Sequence, residues 1–541
     1  MPFSDVKEKW RATYAKNVSQ RFRDLDAYDK MLEGTFYDIL KFPFTMERNG
    51  TDKVPIYERR PSVQYSLPQM LSGQQAALLF GDDHRPSLKC YDPNNAAGDA
   101  ASNVATQKLI DALIEQLDID EVFLDAVLKG QSGSCSLIIT IASDGKPFID
   151  VVAGKFCTPR FNLTNPRELL ELEREMTITG SDLRAMGYPV PDEHIDKTYW
   201  MLFILDSKED RWHVPMLNDE HLKLGEEDAQ GNKIKWAYDK ARSRPHKFGV
   251  VPAVWIRNLN ERRKIDGRCT FAGVVDIQLS LDYLASQITR GLYYTADPLL
   301  AIGRGEMDEL TPVGQTSFDD IDSIVASKKL DRTPGNFLEL PAGSNAQLLE
   351  ITGSAFMSAA SWFSQLKDSA IEIISGSKMP SENSQGNPHS GKALDIMMSS
   401  LAWLIERQRI AYGNHGYLVI VRILLAGLKE GAFELEGISN AGVVPDCPIK
   451  MLWPTWLQPT GTDLLTTITA LQLAAGGSVR EPRQIAPMDL VIRQTLAALG
   501  FVDPGANVEI AMAESTAYEQ QKLDAQKEVK AAGPPKTPPA K

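Results

Sequence analysis

The chain has 541 residues, 43% of them hydrophobic, with 58 Lys and Arg against 71 Asp and Glu, a formal charge of -13. Such a length holds several compact units with ample apolar content for a core, and the acidic balance excludes a protein that coats nucleic acid over its whole surface, so contact with DNA is expected to be local. The five cysteines, Cys90, Cys135, Cys157, Cys269 and Cys447, are scattered and form no CxxC pair, which argues against structural zinc or a local redox bridge and points to a reducing compartment.

The opening segment MPFSDVKEKWRATYAK lacks the apolar centre of a signal peptide. Asp26 to Phe42 is predicted to be helical and MERNGTDKVP to be a turn or loop. Arg59 to Leu67 alternates polar and apolar residues as a strand does, and LPQMLSGQQAALLFG reads as a short helix. Val104 to Gly130 gives two amphipathic helices, with Leu109, Ile110, Leu113, Val122, Phe123 and Val127 among their apolar positions. Cys135 to Ile141, Phe148 to Val152 and Phe156 to Phe161 read as one small antiparallel sheet. Thr198 to Asp206 and Arg211 to Leu217 flank SKED as a hairpin, and Phe248 to Asn260 is a strand interrupted by Pro252, which suits an edge.

From Thr270 the period becomes helical: Ile277, Leu281, Leu284 and Ile288 form a three-four stripe that ends at Ala296. A second such stripe, with Phe356, Phe363 and Leu366, runs from Ser354 to Ser375. The turn-rich stretch Leu299 to Glu350 between them suggests an antiparallel helical hairpin with a small module at its tip. SGSKMPSENSQGNPHSG, with two prolines and three glycines, must be a loop. A long helix with Leu401 on its apolar face follows from Ser390 to Leu428, spanning roughly 55 Å, with a bend expected at Gly413 and Gly416. Its most apolar run, Tyr417 to Leu428, is shorter than a bilayer crossing requires and contains Arg422, so no membrane partner is expected. FELEG and CPIKMLWP read as returning strands, Asp463 to Ala475, Met488 to Leu499 and Asn507 to Val529 as helices, and AAGPPKTPPAK as a tail unable to fold alone.

GNPHSGKA has the spacing of a phosphate-binding loop, yet Ala393 stands where the magnesium-binding Ser or Thr belongs, and no buried strand precedes it. The seven histidines form no HxxxH or HxH pair, there is no GxSxG elbow, and no catalytic residue, metal or cofactor is expected.

The order of elements resembles that of the portal proteins of tailed bacteriophages, particularly the type related to the portal of the Bacillus phage SPP1. The resemblance covers about residues 60 to 430. It rests on the paired helices before GQSGSCSLIITIASDGKPFIDVVAGKFCTPRFN, on HKFGVVPAVWIRN leading into a helix, on the inserted module, and on SGKAL opening a long helix. It implies an α+β portal-like fold: residues 1–258 an N-terminal wing, 259–298 and 351–375 stem helices, 299–350 the clip and 376–390 a tunnel loop. Residues 391–460 would be the wing helix and return strands, 461–530 a helical crown and 531–541 a disordered tail. Ile277, Leu281, Leu284, Ile288, Phe356, Phe363, Leu366 and Leu401 would pack the stem and subunit contacts. Lys378, Ser381, Asn383, Gln385, Asn387, His389 and Lys392 would face the channel.

The implied function is a ring, usually dodecameric, at one capsid vertex of the virion, assembled in the host cytoplasm. Double-stranded DNA would be packaged and ejected through it, with the terminase large subunit, major capsid protein, scaffold and head-completion or adaptor protein as partners. An oligomeric helical scaffold without a DNA channel and a nucleotide hydrolase built on GNPHSGKA remain as alternative readings.

Overall fold

The computed structural model describes residues 3–14, 18–90, 104–142, 145–226, 233–261, 264–296, 299–303, 345–349, 354–375, 401–436 and 447–454. Over these residues it is a mixed α+β protein of helices and small antiparallel sheets. The chain divides into two compact units, Met1–Leu40 with Ser66–Leu279 and Lys367–Lys541, and Lys41–Tyr65 with Ser280–Leu366.

The first unit opens with helices α1 (Phe3–Thr13) and α2 (Gln20–Glu33). Ser19 caps α2, its Oγ accepting from the Phe22 amide at 3.1 Å, and Gly34 ends it in the left-handed region at φ 74°. The helix expected over Asp26 to Phe42 therefore starts earlier and ends sooner, while Phe36 and Tyr37, which prolong the apolar pattern, are buried in turns. Helices α3 (Leu67–Phe80), α4 (Val104–Gln116) and α5 (Ile119–Gly130) follow where the apolar periodicity places them, with strand β1 (Ser87–Cys90) between the first two.

Two sheets stand where one was expected. Strands β2 (Ser134–Ile141) and β3 (Pro147–Ala153) pair with each other, whereas β4 (Cys157–Phe161) pairs with β5 (Leu169–Thr179). Strand β5 was not anticipated: Leu170, Leu172, Met176 and Ile178 alternate with Glu171, Glu173 and Glu175, but Arg174 stands in the apolar register and breaks the pattern at its centre. The charges have partners elsewhere: Arg211 of the same sheet lies 3.0 Å from Glu171, and Arg174 reaches Asp150 on β3, in the other sheet, at 2.6 Å. Strand β6 (Thr198–Leu205) runs antiparallel to β5 and forms the expected hairpin with β7 (Glu209–Trp212). Strand β8 (Ala253–Arg257) begins directly after Pro252 and joins β2 at the edge of a three-stranded sheet in the order β8, β2, β3. Both faces of that sheet are covered. Leu137 and Ile139 join the helical core, while Ile138 joins a second core with Leu172, Phe203 and Trp255. The near-continuous apolar run in β2 follows from this two-sided burial.

Helices α6 (Val275–Ala296) and α7 (Ser354–Ser375) keep close to their expected bounds. The boundary between the units falls inside each of them, at Leu279/Ser280 and Leu366/Lys367. Strands β9 (Leu299–Gly303) and β10 (Asn345–Leu349) pair antiparallel, Leu299 opposite Leu349. The third long helix, α8 (Leu401–Lys429), supplies the largest share of the helical core, with Ile405, Tyr412, Tyr417, Ile420, Val421 and Leu424 all fully buried. Instead of a simple bend it contains a π-helical stretch, Arg409–Tyr417. Its glycines admit close neighbours: a Cβ on Gly413 would stand 2.7 Å from Trp453, and one on Gly416 would stand 2.8 Å from Ile256. At 29 residues α8 is long and apolar enough to cross a bilayer, which corrects the estimate from Tyr417 to Leu428 alone; 61% of its most apolar window is buried inside the protein.

Strand β11 (Ile449–Leu452) returns to β1, and residues 433–436, expected as a strand, are irregular. Across this ladder Cys90 and Cys447 are disulfide-bonded, their Cα atoms 6.2 Å apart. The scattered cysteines, read as fitting a reducing compartment, gave no hint of this bond, because a pair separated by 357 positions leaves no local spacing signal. Without reductant, the denatured chain should therefore titrate three thiols, those of Cys135, Cys157 and Cys269; five would contradict the bond.

A buried ionic cluster joins α2 to the turn after β3. Lys155 Nζ lies 3.0 Å from Asp26 and 3.1 Å from Asp29, and Lys30 also reaches Asp26 at 2.8 Å. Burial raises the Asp29 pKa despite the attraction of Lys155. Burial opposes the charge on Lys155, but Asp29 and Asp26 outweigh it and raise the Lys155 pKa. Asp29 thus contributes most below the ordinary carboxylate range and loses that contribution as pH rises through its raised pKa. The contribution of Lys155 is fully present at neutral pH and is lost above the ordinary lysine range. Urea unfolding at pH 7 should accordingly show Lys155→Met costing about 3–5 kcal/mol, since the buried Asp29 loses its cation and Asp26 loses one of two. Asp29→Asn should change stability by less than about 1 kcal/mol, because Lys155 keeps Asp26 and a carboxylate that burial disfavours is removed. Equal losses would contradict this assignment.

Candidate assembly surface

In the second unit, helix α6 holds an extended backbone on polar side chains. Asp282 accepts from the Tyr65 amide at 2.6 Å, Ser286 Oγ accepts from the Val63 amide at 3.0 Å, and the Tyr283 hydroxyl donates to the Arg59 carbonyl at 3.0 Å. The strand expected over Arg59 to Leu67 is reduced to Arg59–Arg60. The amides beyond it are satisfied by the helix rather than by a sheet.

Of the α6 positions assigned to stem packing, Leu281 is fully buried, while Ile277, Leu284 and Ile288 are half-buried. One turn further on, Tyr293 is 74% exposed. On α7, Phe363 is half-buried with its ring edge-on to Tyr65 at 5.4 Å, and Leu366 is half-buried as well. Phe356 belongs to α7, but its side chain lies outside the described residues. Leu401 is buried at the start of α8.

The inward stripe leaves large apolar side chains on the outside. Met357 is 74% exposed, and Trp362 and Ile373 are each 54% exposed. Met357 and Trp362 belong to the second unit and Ile373 to the first. On α8, Trp403 and Ile410 are exposed, with the Arg407 guanidinium 5.1 Å above the Trp403 ring. Sequence periodicity placed Ile373 on the buried stripe of α7, which its exposure corrects, and it passed over Met357, Trp362 and Ile410. The signal for Trp362 was a large aromatic side chain off the stripe.

The channel-facing candidates Lys378, Ser381, Asn383, Gln385, Asn387, His389 and Lys392 lie outside the described residues, as do residues 304–344 of the inserted module and the whole of 461–541. Among the described residues, no group of three or more His, Cys, Asp or Glu side chains is placed to hold a metal. Burial raises the thiol pKa values of Cys135, Cys157 and Cys269, which makes them poor nucleophiles.

No protein-family model matches the chain, and no curated protein matches it. Among solved structures, the chain is similar to one in the virion of a native gene transfer agent particle, at 10% identity and a TM-score of 0.35, over 88% of this chain and 96% of that one. It is also similar to a chain in the neck of an empty gene transfer agent particle, at 11% identity and a TM-score of 0.34, over 77% of this chain and 88% of that one.

Proposed function

We propose that this protein is a portal: a subunit of a ring at the capsid vertex of a phage-like particle, through which double-stranded DNA enters and leaves. The observation that carries the reading lies in the second unit. Strand β9 starts three positions after α6 ends, β10 ends five positions before α7 begins, and their ladder draws these two helix ends together. The same helices expose Tyr293, Met357 and Trp362. A monomer gains nothing by displaying such side chains, whereas a ring buries them between neighbours.

In this reading α6 and α7 are the stem, β9 and β10 the base of the clip that meets terminase and the head-completion protein, and 376–390 the loop toward DNA. The acidic chain offers few partners to phosphates, so DNA slides, while Lys378 and Lys392 repeated around the axis supply a weak local attraction. The chain is not an enzyme, since Ala393 denies GNPHSGKA its magnesium ligand.

Deleting Ser381 to Gln385 tests the DNA assignment. Rings should still form with nearly unchanged thermal stability, and DNA packaged per particle should fall at least tenfold. Normal packaging would remove the loop from DNA handling, and loss of rings would make it an interface element.

A further inference from the structure

A cleft of about 370 Å³ in the first unit is lined by Arg167, Arg257, His415 and Arg422, with Asn260 and Asn414 beside them. No carboxylate lines it, although the chain carries a formal charge of -13. A second cavity, between α2 and β3, differs in kind: among its charged walls, Arg174 is paired with Asp150 and Lys155 with Asp29. In the cleft, by contrast, none of the three arginines has an ion-pair partner among the described residues. The carboxylate that acts on Arg257, Asp266, is already held by Arg21 through both oxygens, at 2.6 and 2.7 Å. Arg257 instead lies 4.9 Å over the Phe161 ring, which fixes the plane of its guanidinium.

The fourth cationic position comes from the π-helical stretch, on which Asn414 and His415 are exposed between the buried Gly413 and Gly416. Partial desolvation by the cleft walls, together with Arg167 and Arg257, holds the His415 pKa below its ordinary value.

We propose that this cleft binds a phosphate dianion, free or as a phosphomonoester, with Arg167, Arg257 and Arg422 as its donors and His415 as a protonatable fourth. Three guanidinium groups around one concavity exceed what a single carboxylate neutralises, whereas a phosphate brings roughly two charges and three acceptor oxygens. His415 faces only cations, so an anion in the cleft raises its proton affinity, and binding strengthens as pH falls. This inference does not depend on the portal reading.

Calorimetry of the full chain with inorganic phosphate and with sulfate tests it. Sulfate has the same tetrahedral shape and stays dianionic between pH 7.5 and 5.5, so any pH dependence reports on the protein. Saturable one-to-one binding is expected for both ions. Arg422→Gln, at an exposed position, should weaken it several-fold with an unchanged melting temperature, and Arg257→Gln combined with Arg422→Gln should weaken it at least tenfold. Sulfate affinity should rise three- to tenfold on acidification, and His415→Gln should abolish that rise. Absence of saturable binding, or binding indifferent to Arg422→Gln, would overturn the site. Equal competition by a duplex with 5′-hydroxyl ends, or by polyglutamate at the same charge concentration, would show a general polyanion surface and overturn it as well.

Discussion

Leu401→Asp is expected to cost several kcal/mol, a large part of the stability of a typical domain, and to abolish soluble expression. Leu401 is only 8% exposed and belongs to the core formed around α8 with Ile405, Leu424 and Phe123, so a carboxylate there loses most of its hydration. Phe363→Asp is the informative comparison. Phe363 was assigned to the same packing role, yet it is half-buried and its aromatic contact is with Tyr65. Its carboxylate would keep part of its hydration, and the expected cost is about 1–2 kcal/mol. Urea unfolding and soluble yield measure both. Equal damage from the two substitutions would mean that α7 is packed as tightly as α8.

The second expectation concerns assembly rather than folding. Trp362→Asp combined with Ile373→Asp should leave the melting temperature within a few degrees, because each side chain is half or more exposed in its own unit. Subunit association should fall at least a hundredfold, since losing two buried apolar anchors from an interface costs about 2–4 kcal/mol each and the loss recurs at every junction of a ring. Sedimentation at a fixed protein concentration should then show the double variant as folded monomer where the parent chain is assembled. Rings of normal mass from the double variant would place the subunit contact elsewhere.

Periodicity made the long helices legible: α4 to α7 lie where their three-four stripes place them, and the two glycines in α8 flag its irregular stretch. What escaped depends on pairings that a linear pattern does not contain. Strand β5 was hidden because Arg174 interrupts the alternation of Leu170, Leu172, Met176 and Ile178, and its partner Asp150 lies in a strand of the other sheet. The segment from Val63 to Tyr65 resembles a strand in alternation but takes its hydrogen bonds from Asp282 and Ser286, more than 200 positions away. Cys90 and Cys447 meet only once β11 returns to β1. The candidate surface was half legible for a related reason. A stripe shows which residues turn inward, and Trp362 becomes informative only when the inward face is known and the tryptophan is found off it. Arg167, Arg257, His415 and Arg422 are spread over three segments of sequence, and only the fold gathers them.

The central claim is that the exposed faces of α6 and α7 are buried between copies of this chain in a closed ring. Electron microscopy of the purified protein tests it most directly. The account predicts closed rings of a single dominant symmetry, each with an axial channel, formed by the chain alone. Particles that remain monomeric at every salt and protein concentration, or that assemble without an axial opening, would contradict it.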